Sequence, residues 1–414
     1  MIRANKSKRE SMNKVVITGI GVVSPIGSNA DEFTRSLKQG IVGRRSLHEA
    51  NPERFKEFDA DEIAFPLSGF KPPPYAKILD PNIQYSMAAT EEALSDSRLD
   101  LSWVDHERIG IAVSSSKGGM YTFEHYNERM QNRPSALVAA RVYANLLPNI
   151  ATQWIARHWE LRGPAKVAVA ACATGLFAII EGIRMIEQGE ADCCIAGAGD
   201  ASLTRLMLAG YRQMGVLSKN KMIRPYDLRR DGFLIGEGAG ILILESEVYA
   251  KARKANCYGK VRAHVYGFEP SHPISFDERS NGLERCLQEL LKRGGIKPRE
   301  IDYLNLHGTG TQSGDRYETA QIKKAFGQDA YQIPASSTKS MTGHMVGASG
   351  AVEVITSLIA MRDGFIPPTA NLEIPDPVCD LDCTPLRSKD KKINLACSIS
   401  LGFGGQLAAI LLEK

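Results

Sequence analysis

Residues 167–192, VAVAACATGLFAIIEGIRMIEQGEAD, and residues 334–364, PASSTKSMTGHMVGASGAVEVITSLIAMRDG, share one layout. Each passes from a strand-like run through small residues into an apolar helix that stops at a glycine. Working outward, a second correspondence precedes each copy. The helical pattern MAATEEALSDSRLD (87–100) leads through VDHERIGIAVSSSKGG (104–119), and LERCLQELLKRGGI (283–296) leads through KPREIDYLNLHGTGT (297–311). Both run helix, charged connector, strand, and a loop rich in Gly with Ser or Thr. Two occurrences are too few for a solenoid. They predict two similar α/β halves, 14–255 and 256–414, joined near residues 250–260 and bringing equivalent strand ends together. Strands expected at Val15–Ile17, Ile109–Val113 and Val167–Ala171, with a helix over Gln84–Leu99, fit a mainly parallel α/β fold. Thr18 to Gly21 then reads as the turn that ends the first strand.

The chain has 414 residues, 43% hydrophobic and 24% charged, with a net charge of +4. This length suggests two or three domain-sized units. The near-neutral balance argues against a nucleic-acid binder, which carries a concentrated basic stripe. No apolar run reaches the ~18 residues that span a bilayer, so no integral membrane contact is expected. Residues 1–13 are basic, but no apolar segment follows, so they read as a disordered leader rather than a secretory signal. The eight cysteines are too sparse for a disulfide scaffold and form no CxxC pair. No zinc-ligand spacing occurs either, which points to a reducing cytoplasm and no metal.

Cys172 stands where a strand-like run meets a helix. Free N–H groups and the helix dipole at that terminus stabilise a thiolate and lower its pKa. Ala171, Ala173 and Gly175 leave room for a substrate. Cys193 and Cys194 lie within an apolar strand and read as inert. His307 ends the run Leu304–Leu306 and is followed by glycines; His344 sits in a Gly-rich turn before a helix. These two histidines stand near the duplicated strand ends. Gly19-x-Gly21 lacks the third glycine of a dinucleotide fingerprint, and Gly236 to Gly240 reads as close packing. Ser336-x-x-Lys339 matches the pattern of acyl-serine enzymes, but the companion K-T-G is missing.

Six stretches carry a resemblance: VVITGIGVVSPIG (15–27), AACATG (170–175), RPYDLRRDGFLIGEGAGILILE (224–245), HGTGTQSGD (307–315), SSTKSMTGHMVGASGAVE (336–353) and GFGG (402–405). In order and spacing they resemble the β-ketoacyl-[acyl carrier protein] synthases of the elongating type (synthase I and II), within the thiolase superfamily. The resemblance covers about residues 14–412. It implies a duplicated thiolase-like α/β fold in five layers, αβαβα, a homodimer, no cofactor, and decarboxylating condensation of an acyl thioester with malonyl carrier protein. By motif, Cys172 corresponds to the nucleophile, with His307 and His344 as its partners and Lys339 as the supporting lysine. Glu353 corresponds to the buried glutamate behind it, and Phe403 to the gatekeeping phenylalanine. The backbone N–H groups of Phe403 and Cys172 would form the oxyanion hole, and Asp315 would be structural. Two histidines, rather than His and Asn, match the elongating class. The GFGG motif lacks the second cysteine of a biosynthetic thiolase.

The sequence also departs from the pattern. Lys117 stands where an apolar residue usually lines the acyl channel. Leu401 and Leu407 replace a common Phe and Asn, and the loop Glu269–Gly282 looks shortened. These changes point to a specialised lipid or polyketide-like acyl group. Lys71, Lys77, Arg205 and Arg212 are candidates for binding an acidic carrier protein. Two other readings share the fold: a non-catalytic chain-length partner subunit, which typically lacks the cysteine, and a decarboxylase or acyltransferase that forms no C–C bond.

Overall fold

A computed structural model describes residues 14–132, 142–277 and 279–414; the basic stretch 1–13 lies outside the described residues. In the first half, β1 (Val15–Val23) is followed by α1 (Pro81–Ser97), β2 (Ile109–Ser114), α2 (Thr174–Glu187), β3 (Cys193–Asp200), α3 (Arg205–Gln213) and β4 (Gly238–Ser246). In the second, β5 (Gly259–Phe268) is followed by α4 (Gly282–Gly294), β6 (Tyr303–Asn305), α5 (Gln312–Phe326) and β7 (Ala335–Ser336). Then come α6 (Ser349–Asp363), β8 (Leu395–Gly402) and β9 (Gln406–Glu413).

Strand order repeats between the halves. Ala165 bridges Ile111 of β2 in parallel, β2 runs parallel to β3, β3 antiparallel to β4, and β4 antiparallel to β1. Likewise β7 runs parallel to β6, β6 parallel to β8, β8 antiparallel to β9, and β9 antiparallel to β5. The two half-sheets meet where Val16 and Ile17 pair with Lys260 and Gly259.

Alternate side chains leave opposite faces of a strand, and here both faces are buried. Ile109, Ile111, Val113, Ile195, Ile241 and Ile243 pack with Ala89 and Ala93 of α1. Ala112, Cys194, Ala196, Leu242 and Leu244 pack with Ile179, Ile180 and Ile183 of α2 and with Val352 and Ile355 of α6. In the second half, Ala396, Ala408 and Ile410 join that shared central cluster. Cys397, Ile399, Ala409 and Leu411 face Leu283, Leu287 and Leu290 of α4. The result is five layers: α1, a half-sheet, α2 with α6, a half-sheet, and α4 with α5. Strands covered on both sides need near-continuous apolar sequence, which these have.

Four sequence expectations change. The sheet is not mainly parallel: among the described strands only β2–β3, β6–β8 and β6–β7 pair in parallel, and the other neighbours along it are antiparallel. The first strand does not end at Ile17 but runs to Val23. Gly19 and Gly21 belong to it, because a Cβ on either would strike the backbone carbonyls of Ala93 or Ala89 in α1. Their role is helix-on-sheet approach. Residues 167–171 form no strand. This segment lies at the outer edge of its half-sheet, with only the Ala165 bridge among the described residues, and Val169 is 57% exposed. Gly175 opens no space for substrate; a Cβ there would lie 2.7 Å from the Ala351 nitrogen and 2.9 Å from the Gly347 oxygen, so it lets α2 and α6 meet.

Candidate active site

The turn before α2 is a short 3-10 segment, Ala171–Ala173, entered through Ala171 at φ 48°. The turn before α6 is its counterpart, Val346–Ala348, entered through Val346 at φ 46°. Left-handed backbone is costly for alanine and more so for a β-branched residue. Two equivalent turns held this way, in contact with each other, mark the place where the duplicated frame was built around a site.

Cys172 sits on the first turn, buried at 6% exposure. It lines a narrow cleft with His307, His344, Phe233, Leu401 and Phe403. The imidazole rings of His307 and His344 stand 5.6 Å apart at 86°. Phe233 meets His344 edge-on at 4.9 Å. Lys339 Nζ lies 3.4 Å from His307 Nδ1 and pairs with the Glu353 carboxylate, all three groups being buried. The Ser349 hydroxyl lies 3.1 Å from His344 Nδ1. The backbone N–H of Phe403, at the tip of the β8–β9 hairpin, is directed at the Cys172 sulfur. The structure therefore brings together Cys172, His307, His344, Lys339, Glu353 and Phe403.

The loop carrying His307 is fixed by a residue that the sequence reading missed. Glu318 of α5 accepts from the His307 N–H at 2.7 Å, the Gly308 N–H at 2.8 Å and the Tyr226 hydroxyl at 2.7 Å. One helical turn earlier, Asp315 accepts from the Tyr226 N–H at 2.8 Å and the Gly310 N–H at 3.1 Å. The i, i+3 spacing of these two acids on one helix face was the available signal. Asp315 thus ties the Tyr226 and Gly310 backbones together.

Electrostatics correct one expectation. Burial pushes the Cys172 thiol up to about 11, although Lys117 and Lys339 pull it down. Desolvation outweighs what a helix terminus supplies, so the resting sulfur at neutral pH is a thiol. Burial pushes both imidazoles well below their ordinary value, and Lys339 adds to the effect on each. Both rings are neutral at pH 7. An ammonium only donates, so Lys339 selects the His307 tautomer with its proton on Nε2. Burial raises the Glu353 carboxyl against the pull of Lys339.

Of the remaining candidates, the four basic surface residues lie apart from the cleft and the others border the site. Lys71 and Lys77 are exposed beside Pro72 and Pro73. Arg205 pairs with Glu124 and Glu128, and Arg212 with Glu62 at 2.7 Å. Both arginines lie on the outer side of α3, whose inner residues Leu208 and Tyr211 pack in the cluster around Cys172. Lys117 is half-buried and reaches the Ser116 hydroxyl at 3.0 Å. Leu401 and Leu407 are buried and face each other across the β8–β9 ladder. Of the loop Glu269–Gly282, Ile274, Ser275 and Phe276 line the cleft. Among the described residues no cluster suited to a metal ion occurs, and no helix is long and apolar enough to cross a membrane.

Comparison with known proteins agrees with this arrangement. Residues 12–250 match the family model for the beta-ketoacyl synthase N-terminal domain, and residues 258–373 that for its C-terminal domain. The chain is 36% identical over 410 residues to 3-oxoacyl-[acyl-carrier-protein] synthase 2 of Staphylococcus aureus strain COL, covering 98% of this chain and 99% of the other. It is 35% identical over 414 residues to the synthase of the same name from Coxiella burnetii, covering 97% and 98%. A beta-ketoacyl synthase structure from Burkholderia phymatum superposes with a TM-score of 0.88 at 28% identity, covering 97% and 100%. The ishigamide ketosynthase/chain length factor does so with 0.88 at 29%, covering 97% and 99%. A duplicated five-layer frame, a buried cysteine facing two neutral imidazoles, and full-length relatives at this level of identity lead to one statement: the chain belongs to the β-ketoacyl synthase family.

Proposed function

We propose that this ketosynthase joins an acyl group held on Cys172 to a malonyl unit on a carrier protein, with loss of CO2, to give a β-ketoacyl carrier protein. The observation that carries the reading is one cleft holding a cysteine beside two imidazoles that burial keeps neutral. In the first step the Cys172 sulfur bonds the acyl carbonyl carbon, the bond from that carbon to the carrier's pantetheine sulfur breaks, and the thiol proton passes to the departing sulfur. In the second, the malonyl carboxylate leaves as CO2 and its electron pair forms an enolate. The His307 Nε2–H, and His344 Nε2–H with Ser349 donating to its Nδ1, stabilise that enolate oxygen in a water-poor site. The enolate carbon then attacks the acyl carbonyl, whose oxygen meets the Phe403 and Cys172 N–H groups, and the Cys172 sulfur departs as a thiolate that takes a proton from water. Lys339 and Glu353 act as positioning residues through His307.

Lys71, Lys77 and the outer face of α3 with Arg205 and Arg212 form the proposed docking area for an acidic carrier. One structural neighbour, of TM-score 0.88 and 28% identity, is a type II PKS acyl-carrier protein in complex with its ketosynthase bound to the hexaketide, which supports carrier recognition and a polyketide-like chain. A second copy of the chain covers the open edge at residues 165–170, giving a homodimer of chains each divided into a cysteine-bearing and a histidine-bearing half. All eight cysteines are free thiols, in keeping with a reducing cytoplasm.

The test is intact mass after acyl-carrier protein, then product analysis after malonyl-carrier protein. An acyl adduct followed by β-ketoacyl product is expected. An adduct without product favours an acyltransferase, and no adduct favours a non-catalytic subunit. Cys172→Ala abolishes condensation and leaves malonyl decarboxylation; His344→Ala lowers decarboxylation by about 10²-fold or more, the scale of one lost oxyanion donor. Normal decarboxylation by His344→Ala removes that histidine from the mechanism.

A further inference from the structure

Cys172 lines the histidine cleft and also packs in a buried apolar cluster with Leu203, Leu208, Tyr211, Phe233 and Val346. One ammonium borders this cluster. Lys117 Nζ reaches the Ser116 hydroxyl at 3.0 Å and stands 5.6 Å from the Tyr211 ring centroid. Its neighbour Tyr211 packs in the same cluster as Cys172, and Lys117 and Lys339 are the two ammonium groups that pull the Cys172 thiol down. Burial opposes the Lys117 charge, and the Asp200 carboxylate favours it.

Among the described residues Lys117 makes no ion pair. An ammonium has three donors. Ser116 takes one and the Tyr211 phenol lies beside another, so a donor is left for an acyl chain that enters this cluster. A saturated chain packed there takes that donor from water and leaves it against methylenes, which is costly. A ketone or hydroxyl oxygen accepts from it. An acyl carboxylate is less suited, because Asp200 already supplies the local negative charge. Asp200 accepts from the Ser116 and Ser202 hydroxyls and from the Gly347 N–H, and a second anion would face it.

Resting on the ketosynthase reading above, we infer that Lys117 is a specificity-determining residue that selects acyl groups bearing a neutral oxygen, ketone or hydroxyl, over saturated chains of equal length. The site thereby belongs in a sequence whose preceding reaction leaves the β-oxygen in place or only partly reduced.

The test is the rate of Cys172 acylation, read as kcat/KM by intact mass, from four six-carbon carrier-protein thioesters: hexanoyl, 3-hydroxyhexanoyl, 5-oxohexanoyl and adipoyl. The wild-type chain should load an oxygenated neutral chain at least about tenfold faster than hexanoyl, the scale of one hydrogen bond to a charged donor. Lys117→Met should erase the preference and raise hexanoyl loading; Lys117→Gln, which keeps a neutral donor, should retain part of it. The wild-type comparison stands even where Lys117→Met does not fold. Equal loading of hexanoyl and the oxygenated chains overturns the inference while leaving the ketosynthase reading intact. So does fastest loading of adipoyl, or an unchanged hexanoyl rate in a folded Lys117→Met. No adduct from any thioester overturns both.

Discussion

Cys172 shows how far a local rule carries and where it stops. Its place at the turn that opens a helix was legible from Ala170 to Gly175, though no strand precedes that turn, and the helix that follows was legible from the spacing of Leu176, Ile179, Ile180 and Ile183. The state of its proton was not. A helix terminus lowers a thiol, but the surrounding apolar cluster is built from Leu203, Tyr211, Phe233 and Val346, contributed from far along the chain, and desolvation wins. With the thiol pushed up to about 11, alkylation by iodoacetamide should be slow at pH 7 and rise about tenfold per pH unit through the alkaline range. The sign follows from the thiolate fraction, which grows until pH passes the raised pKa. Lys339→Met removes a cation that lowers the thiol and should move the profile to higher pH. A profile that levels off below pH 8 contradicts this electrostatic account. Glu318 stayed hidden for a related reason: its three hydrogen bonds join α5 to the His307 loop and Tyr226, contacts that sequence spacing only hints at.

At the scale of elements, the repeat was readable because both copies keep the same order of helix, strand and glycine-rich loop. What the pattern did not show is how the two copies touch. Gly175 and Gly350 occupy matching places in α2 and α6, and a Cβ on Gly350 would lie 2.9 Å from the Leu176 nitrogen. Each glycine admits the other helix's backbone. Gly175→Ala should therefore destabilise the chain by about 1–3 kcal/mol through overpacking, read as a lowered denaturation midpoint with unchanged m-value. It should also lower activity, since the same contact sets the Cys172 turn against the Val346 turn. A variant of wild-type stability places that contact outside the fold's support. The edge segment 167–171 was misread as a strand because its small apolar residues fit one, while strand pairing needs a neighbour that the isolated chain lacks on that side.

For the whole molecule, the uncovered edge is the feature with the largest consequence. Exposed edges with free backbone groups are normally covered or charged, and here Val169 stands exposed instead. In solution the chain should sediment as a dimer at micromolar concentration. Val169→Asp, placing a carboxylate from each copy at a shared edge, should shift it toward monomer while leaving its circular dichroism unchanged. A monomeric wild-type protein removes the second copy from the proposed function.

The twin left-handed turns have one further effect. Where the first carries Cys172, the second carries Gly347, and a methyl there would come within 2.9 Å of the Asp200 carboxylate and 2.8 Å of Ser116. Doubling the frame did not double the reagent: the matching corner is too crowded for any side chain. Stoichiometric loading should saturate at a single equivalent per polypeptide, a lopsided outcome from a nearly symmetric scaffold.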